Sequence, residues 1–385
     1  MSAWRPDPEA ASAVARAPVG LLGGWLAAPD VPGRHRADDG GAGFEVRRQV
    51  YSAAELFGRD GPHPDDAGAL FLDTETTGLA GGTGTTPFLI GLAYLDDAHL
   101  VLEQYFLRRL SGEPALLAAL RARLEGAAQL VTFNGRRFDW PILAARYVLG
   151  RLRIAPPPAH LDLMSVARRL WHRPLGTYRL AVVEREALAI DRGWDIDSAQ
   201  IPGLYVHYLR TGDAGPLEPV FVHNAHDVRT LVHLRRRVRR WVEYGEDPPP
   251  PVDWEGLGVL RLQVAQDAAA EDALRRALQV EDDPAVRWRI ARRLARVLRR
   301  GGRYDEVAAL WHHCVGGRGA WRARALLEAA TAYHRARRPE HARAALEEAA
   351  ALVEWLHLCG EAQAADLDAQ IGRRRRALGG HRTAR

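Results

Sequence analysis

Four acidic residues in three separated segments have the spacing to share one reaction. The segments are FLDTETTGL at 71–79, TFNGRRFDWPIL at 132–143 and VHNAHDVRTL at 222–231, and they carry Asp73, Glu75, Asp139 and Asp227. Four carboxylates gathered in one site repel one another unless cations lie between them, and hard oxygen ligands suit hard divalent ions such as Mg²⁺ or Mn²⁺. Two such ions about 3.5–4 Å apart activate a water and stabilise the leaving oxygen in phosphodiester hydrolysis. The expectation is a metal-dependent nuclease with two Mg²⁺ or Mn²⁺ ions, the four carboxylates serving as metal ligands and catalytic groups.

The elements that must position these acids can be read from the flanking residues. Ala69 to Leu72 is a short apolar run ending in Asp73-Thr74-Glu75, so a strand would point Asp73 and Glu75 the same way and Leu72 and Thr74 the other. Thr76-Thr77-Gly78 then has turn chemistry. Gln129 to Phe133 reads as a second strand, turned at Asn134-Gly135, with a helix after it that puts Asp139 in its first turn. The helix dipole favours an acid there whether or not a metal binds. His223 and Asp227, four apart, share one face of a long helix running from about Asn224 to Trp241. A His beside a carboxylate-bound metal can take a proton from the attacking water. His226 and His233 read as ordinary surface or core histidines.

With these segments together, the chain resembles the DEDD exonuclease superfamily of the ribonuclease H-like fold. Asn134 to Leu143 is similar to the Exo II motif of B-family polymerase proofreading domains. His160-Leu-Asp162-Leu-Met164 and Gly176-Thr-Tyr-Arg-Leu180 resemble the stretches that group carries between motifs. Thr77 to Thr85, with its Gly-Gly-Thr-Gly-Thr run, resembles the free-standing bacterial YprB-like ribonuclease H-like proteins, which also have a TPR-like tail. The resemblance covers roughly residues 67–242. It implies 3′→5′ exonuclease action on single-stranded DNA or RNA ends, with Asn134 and Thr76 as substrate-binding candidates and Asp162 as an outer carboxylate. His223 stands at the spacing of the Tyr-containing subgroup. It therefore replaces that Tyr in orienting water, acts as a base, or marks weakened catalysis.

The 385 residues suit two domains, and the formal charge of +5 favours a polyanionic partner. All 53 basic residues are Arg, which excludes chemistry that needs a Lys: Walker-type ATP binding, Schiff bases and lysyl-adenylate ligation. Cys314 and Cys359 match neither a zinc pattern nor a disulfide framework. No apolar run is long enough to span a membrane and the N-terminus lacks signal organisation, so a cytoplasmic location is expected.

The expected fold is α/β, a ribonuclease H-like mixed sheet with flanking helices, followed by an all-α TPR-like helical-repeat domain. The expected boundaries are a partly ordered N-terminal extension over 1–66, the ribonuclease H-like domain over 67–245, a Pro-rich linker over 246–256, the TPR-like domain over 257–375 and a flexible basic tail over 376–385. Phe88 to Leu95 and Leu100 to Leu107 continue the first acidic strand as an antiparallel meander. In the tail, Ala295, Leu298, Val307 and Trp311 recur thirty-five residues later as Ala330, Tyr333, Ala342 and Leu346, close to the roughly 34-residue period of tetratricopeptide helix pairs. Arg229, Arg235, Arg236, Arg237, Arg239 and Arg240 load the far end of the Asp227 helix, either as a solvated face or as a phosphate contact. The rival reading of the whole chain is a non-catalytic nucleic-acid-binding or scaffold protein, with a protein partner on the helical tail.

Overall fold

The apolar run from Ala69 to Leu72 is short, continuous and closed by turn residues, the pattern of a strand covered on both faces. In the computed structural model, which describes residues 35–38, 41, 43–52, 66–78, 84–96 and 99–379, it opens strand β3 (Ala69–Thr76). β4 (Pro87–Asp96) and β5 (His99–Leu107) follow as the expected antiparallel meander. On the other side of β3, β6 (Gln129–Thr132) and then β7 (His160–Asp162) pair in parallel. Helix α1 (Glu113–Glu125) leads into β6, and α2 (Asp139–Leu149) lies between β6 and β7. Leu116, Leu117, Leu120 and Leu124 of α1 are buried in one cluster with Leu70, Leu72 and Phe88 of the sheet.

Two strands earlier in the chain, β1 (His35–Asp38) and β2 (Phe44–Ser52), complete the sheet, whose order among the described residues is β1-β2-β5-β4-β3-β6-β7. β2 pairs antiparallel with β5 along its whole length, from Phe44 opposite Leu107 to Ser52 opposite His99. The described strands of the sheet thus begin before residue 67, within the stretch expected as a partly ordered extension. Of residues 1–66, those other than β1, β2, Gly41, Gly43 and Asp66 lie outside the described residues. β2 was hidden by its charge. Arg47 lies 3.4 Å over the Phe221 ring and pairs with Glu45 at 3.0 Å and Glu218 at 2.8 Å, so side chains that read as loop-forming are spent on contacts.

After β7 the chain is mostly helical. Asp162 caps α3 (Leu163–Leu175), its carboxylate accepting the Met164 N–H at 3.1 Å. A short α4 (Leu180–Val183) runs into a π turn over Glu184–Leu188, a distortion that often marks functional positions. Then come an irregular stretch, α5 (Ile201–Thr211) and the long α6 (Glu218–Val242). Four of the six arginines of α6 are committed within the fold. Arg235, Arg236 and Arg239 all pair with the buried carboxylate of Asp66, and Arg229 is buried with its guanidinium 5.0 Å from the Tyr51 ring centre.

The chain divides into two compact units, the first reaching Arg239 and including Pro249–Pro251, the second formed by Arg240–Pro248 and the residues from Val252 onward. The second unit is helical: α7 (Trp254–Gln263), α8 (Asp267–Val280), α9 (Pro284–Arg300), α10 (Tyr304–His313), α11 (Ala320–Arg335), α12 (Pro339–Leu358) and α13 (Ala364–Gly379). The first repeated quartet falls on α9 and α10, and the second on α11 and α12. All but Tyr333 are buried. Among the described residues, no helix is long and apolar enough to cross a membrane.

One glycine decides how closely α6 lies on the sheet. Gly91 of β4 stands opposite Asp73 of β3. A Cβ at Gly91 would fall 2.8 Å from Val228 Cγ2 and still nearer the Asn224 side chain, so any other residue pushes α6 away. Gly91→Ala is expected to lower stability by about 1–3 kcal/mol, as overpacking of a close-fitted core does. A urea titration of the two proteins measures it, and an unchanged midpoint would mean that α6 yields without strain.

Candidate active site

Strand alternation on β3 distributes the site between two helices. Asp73 and Glu75 share a face and meet α6, whereas Thr74, on the opposite face, donates its hydroxyl to Asp139 Oδ1 at 2.6 Å at the start of α2. The β3–β6 parallel pairing brings the Asn134 turn and the first turn of α2 to the same strand end. Asn134 adopts a left-handed backbone, φ 69°, which an Asn tolerates in a tight turn.

On α6, Asn224 is fully buried and lies three residues before Asp227, on the same side of the helix. Its amide donates to Asp73 Oδ2 at 2.9 Å. Its carbonyl oxygen accepts from the Gln104 side chain of β5 at 3.0 Å, and Gln104 also donates to the Phe221 carbonyl at 2.8 Å. Gln104 thus fixes which way the Asn224 amide points. Neither residue was singled out from the sequence. Asn224 lies inside the third acidic segment and its helical phase was the available signal, but Gln104, on a strand remote in sequence, had none.

Two further residues come from the irregular stretch after the π turn. Arg192 ion-pairs with buried Glu184 at 2.5 Å, donates to Asp195 Oδ2 at 3.1 Å and holds Asp227 Oδ1. Asp195 Oδ1 meets His223 Nδ1 at 2.7 Å. His223 Nε2 lies 3.4 Å from Asp227 Oδ2 and 3.8 Å from Glu75 Oε1. Arg192, Asp227, His223 and Asp195 therefore close a ring in which each side chain holds the next. Gly193, with φ 66°, turns the chain between Arg192 and Asp195, and a side chain would strain that turn.

Asp73, Glu75, Asp139, Asp227 and His223 are thus brought together. The other candidates are used differently. The Thr76 hydroxyl is buried and donates to the Gly78 carbonyl at 2.7 Å, so it stabilises the turn. Asp162 accepts the backbone N–H of Asn134 at 2.8 Å and of Arg136 at 3.3 Å, shaping the turn before α2. His226 is buried and His233 half-buried, and desolvation lowers them to about 4 and about 3 respectively, with nearby arginines adding to the effect.

The electrostatics reflect a shortage of positive charge. Burial, then repulsion from Asp227, Glu75 and Asp139, holds the Asp73 carboxyl well above the usual carboxylate range. Burial raises Glu75 to about 7 even though His223 pulls it down, and raises Asp139 to about 6 against the Thr74 hydrogen bond. Burial opposes a charge on His223, but Asp227, Glu75 and Asp195 outweigh it and raise its pKa. For Asp195, burial is outweighed by His223 and Arg192, which lower it. Crowded oxygen donors whose burial and mutual repulsion favour the protonated form are a donor set that fits a hard divalent ion. Among the described residues, no group of three or more Asp, Glu, His or Cys side chains already stands in coordinating geometry, and Arg192 engages one oxygen of Asp227.

The sheet order, with parallel strands β3, β6 and β7 and acids at the end of β3, is that of a ribonuclease H-like domain. Residues 70–239 match the family model of the RNase_H superfamily. Over 167 residues the chain is 38% identical to a protein of Bacillus subtilis (strain 168) described as "Uncharacterized protein YprB". That match covers 43% of this chain and 40% of the relative, so the chain spans well under half the length of this curated relative.

The raised carboxylates set a pH dependence. Glu75 ionises near its ordinary 4.5 in the unfolded chain and near 7 when folded, so the protonated form favours folding. The stability it adds is complete below 4.5 and is lost as pH rises through about 7, with Asp139 acting in the same direction. In EDTA, the melting temperature should fall across this window and level off above it. Mg²⁺ or Mn²⁺ should restore most of the loss above pH 7, since a ligand of the native state stabilises it. A melting temperature that rises through the window in EDTA would contradict the assignment.

Proposed function

We propose that the ribonuclease H-like domain is a metal-dependent nuclease, a 3′→5′ exonuclease acting on single-stranded DNA or RNA ends. The observation that carries the reading is the convergence of Asp73, Glu75, Asp139 and Asp227 on one buried, under-neutralised site. In this reading the four carboxylates hold two Mg²⁺ or Mn²⁺ ions. Ions held there would supply activation of a water and charge stabilisation of the leaving oxygen. The exonuclease polarity rests on the resemblance of the Asn134 to Leu143 segment to proofreading domains, and not on a measured distance.

The side chains around the acids supply orientation and proton transfer. His223 turns Nε2 toward Glu75 and Asp227 because Asp195 engages Nδ1. An imidazole held in this way accepts the proton of an attacking water at Nε2, or orients that water by a hydrogen bond. Asn224 keeps the Asp73 carboxylate fixed, and Thr74 does the same for Asp139. Asn134 and Thr76 enter substrate binding through the turns they stabilise. The helical unit, with its 35-residue recurrence, is the proposed TPR-like surface for a protein partner.

The test is a single assay of the purified chain on end-labelled single- and double-stranded DNA and RNA with Mg²⁺ or Mn²⁺. Products shortened from the 3′ end are expected, lost in EDTA and in Asp227→Asn. His223→Ala should slow the reaction by about 10²–10⁴-fold, the usual share of general-base catalysis. Binding without metal-dependent products on any of the four substrates would assign the domain to a non-catalytic role. An unchanged rate in His223→Ala would leave that residue as packing.

A further inference from the structure

Trp194 is 76% exposed, although an indole gains more from burial than almost any other side chain. Its place in the chain is specific. Two residues before it, Arg192 holds Asp227, and one residue after it, Asp195 holds His223. The backbone on both sides of Trp194 is therefore tied to the acidic site, while the ring itself faces solvent.

The acids that this segment holds are also the ones solvent reaches most. The Asp195 side chain is 26% exposed and that of Asp227 17%, against 12% for Glu75. Trp194 lies in the chain between Arg192 and Asp195, the two residues that engage them. Arg192, the cation among these acids, is buried and already committed to Glu184, Asp195 and Asp227. Stacking of a flat base on an indole is an attractive contact that needs no further charge.

We propose that Trp194 is a stacking platform for a nucleobase of single-stranded nucleic acid held at the carboxylate site. The proposal rests on the nuclease reading for the class of ligand. Every base has a π-face, so the platform tolerates any sequence. In a duplex those faces are covered by neighbouring bases, so the platform favours unpaired strands.

Full-length protein, a fluorescent single-stranded oligonucleotide and Ca²⁺ in place of Mg²⁺ allow binding to be read by anisotropy without relying on turnover. Trp194→Ala should weaken binding by about 10-fold, within the range found for loss of a base–aromatic stack. Trp194→Tyr should retain most of the affinity. The slope of affinity against salt should be the same in wild type and Trp194→Ala, because no phosphate contact is removed. An oligonucleotide with abasic sites in place of its bases should bind both proteins equally. Equal affinity of wild type and Trp194→Ala for the normal oligonucleotide would overturn the proposal, as would the same loss on the abasic one or no binding by wild type at all. Binding that depends on Trp194 without any Mg²⁺-dependent cleavage would instead overturn the nuclease reading and leave the platform standing.

Discussion

Mutual repulsion among buried carboxylates is the constraint around which this domain is organised. Two unit charges 4 Å apart at a typical protein site interact by about 4 kcal/mol, and here several acids are also removed from water. The fold brings them together from β3, α2 and α6 and compensates them with few cations. The result is acids driven toward their protonated forms, with Glu75 raised to about 7. A site of this kind is a receptor for positive charge, and the neighbouring hydrogen bonds keep its oxygens from turning away.

Those hydrogen bonds come from unequal sources. Thr74 acts within β3 itself, while Gln104 acts at one remove, holding Asn224 so that Asn224 can hold Asp73. Arg192 and Asp195 act on α6 from a stretch with no regular structure. Arg192 is anchored in turn by Glu184 of the π turn, so the distortion in that helix has a use: it places a buried acid behind the arginine. Removing one partner of such a buried pair leaves the other charge uncompensated, which is the costly case for ion pairs away from water.

How much of this could be read in advance depended on the range of the interactions. The acids of β3 were legible because a period of two and a closing turn act within a few residues. Asp227 and His223 were legible because helical phase acts over one turn. Asn224 obeys the same phase, but an amide gives no sign in the sequence that it will be buried against an acid. Arg192 and Asp195 could not be located, since their partners lie 35 and 28 residues away and no periodicity connects them. The arginines of α6 were open to misreading for the same reason: Arg235 meets Asp66 across 169 residues, so a run that looked available for phosphate is tied to a buried acid. β2 was missed because a strand carrying Glu45, Arg47 and Arg48 lacks the continuous apolar signature of β3 and β4.

The separation of Asp73 from Asn224, 151 residues, has a consequence for the timing of assembly. β3, β4 and β5 can pair as soon as they have been made, since their connections are short. α6 belongs to the last part of the first unit, and loop closure over such a distance comes late and slowly. Until α6 settles against Gly91, the domain has its sheet but lacks His223, Asn224 and Asp227. A growing chain thus passes through a stage with most of its fold and none of its completed site, and the acids of β3 gain their partners on α6 only once synthesis has passed them by well over a hundred residues.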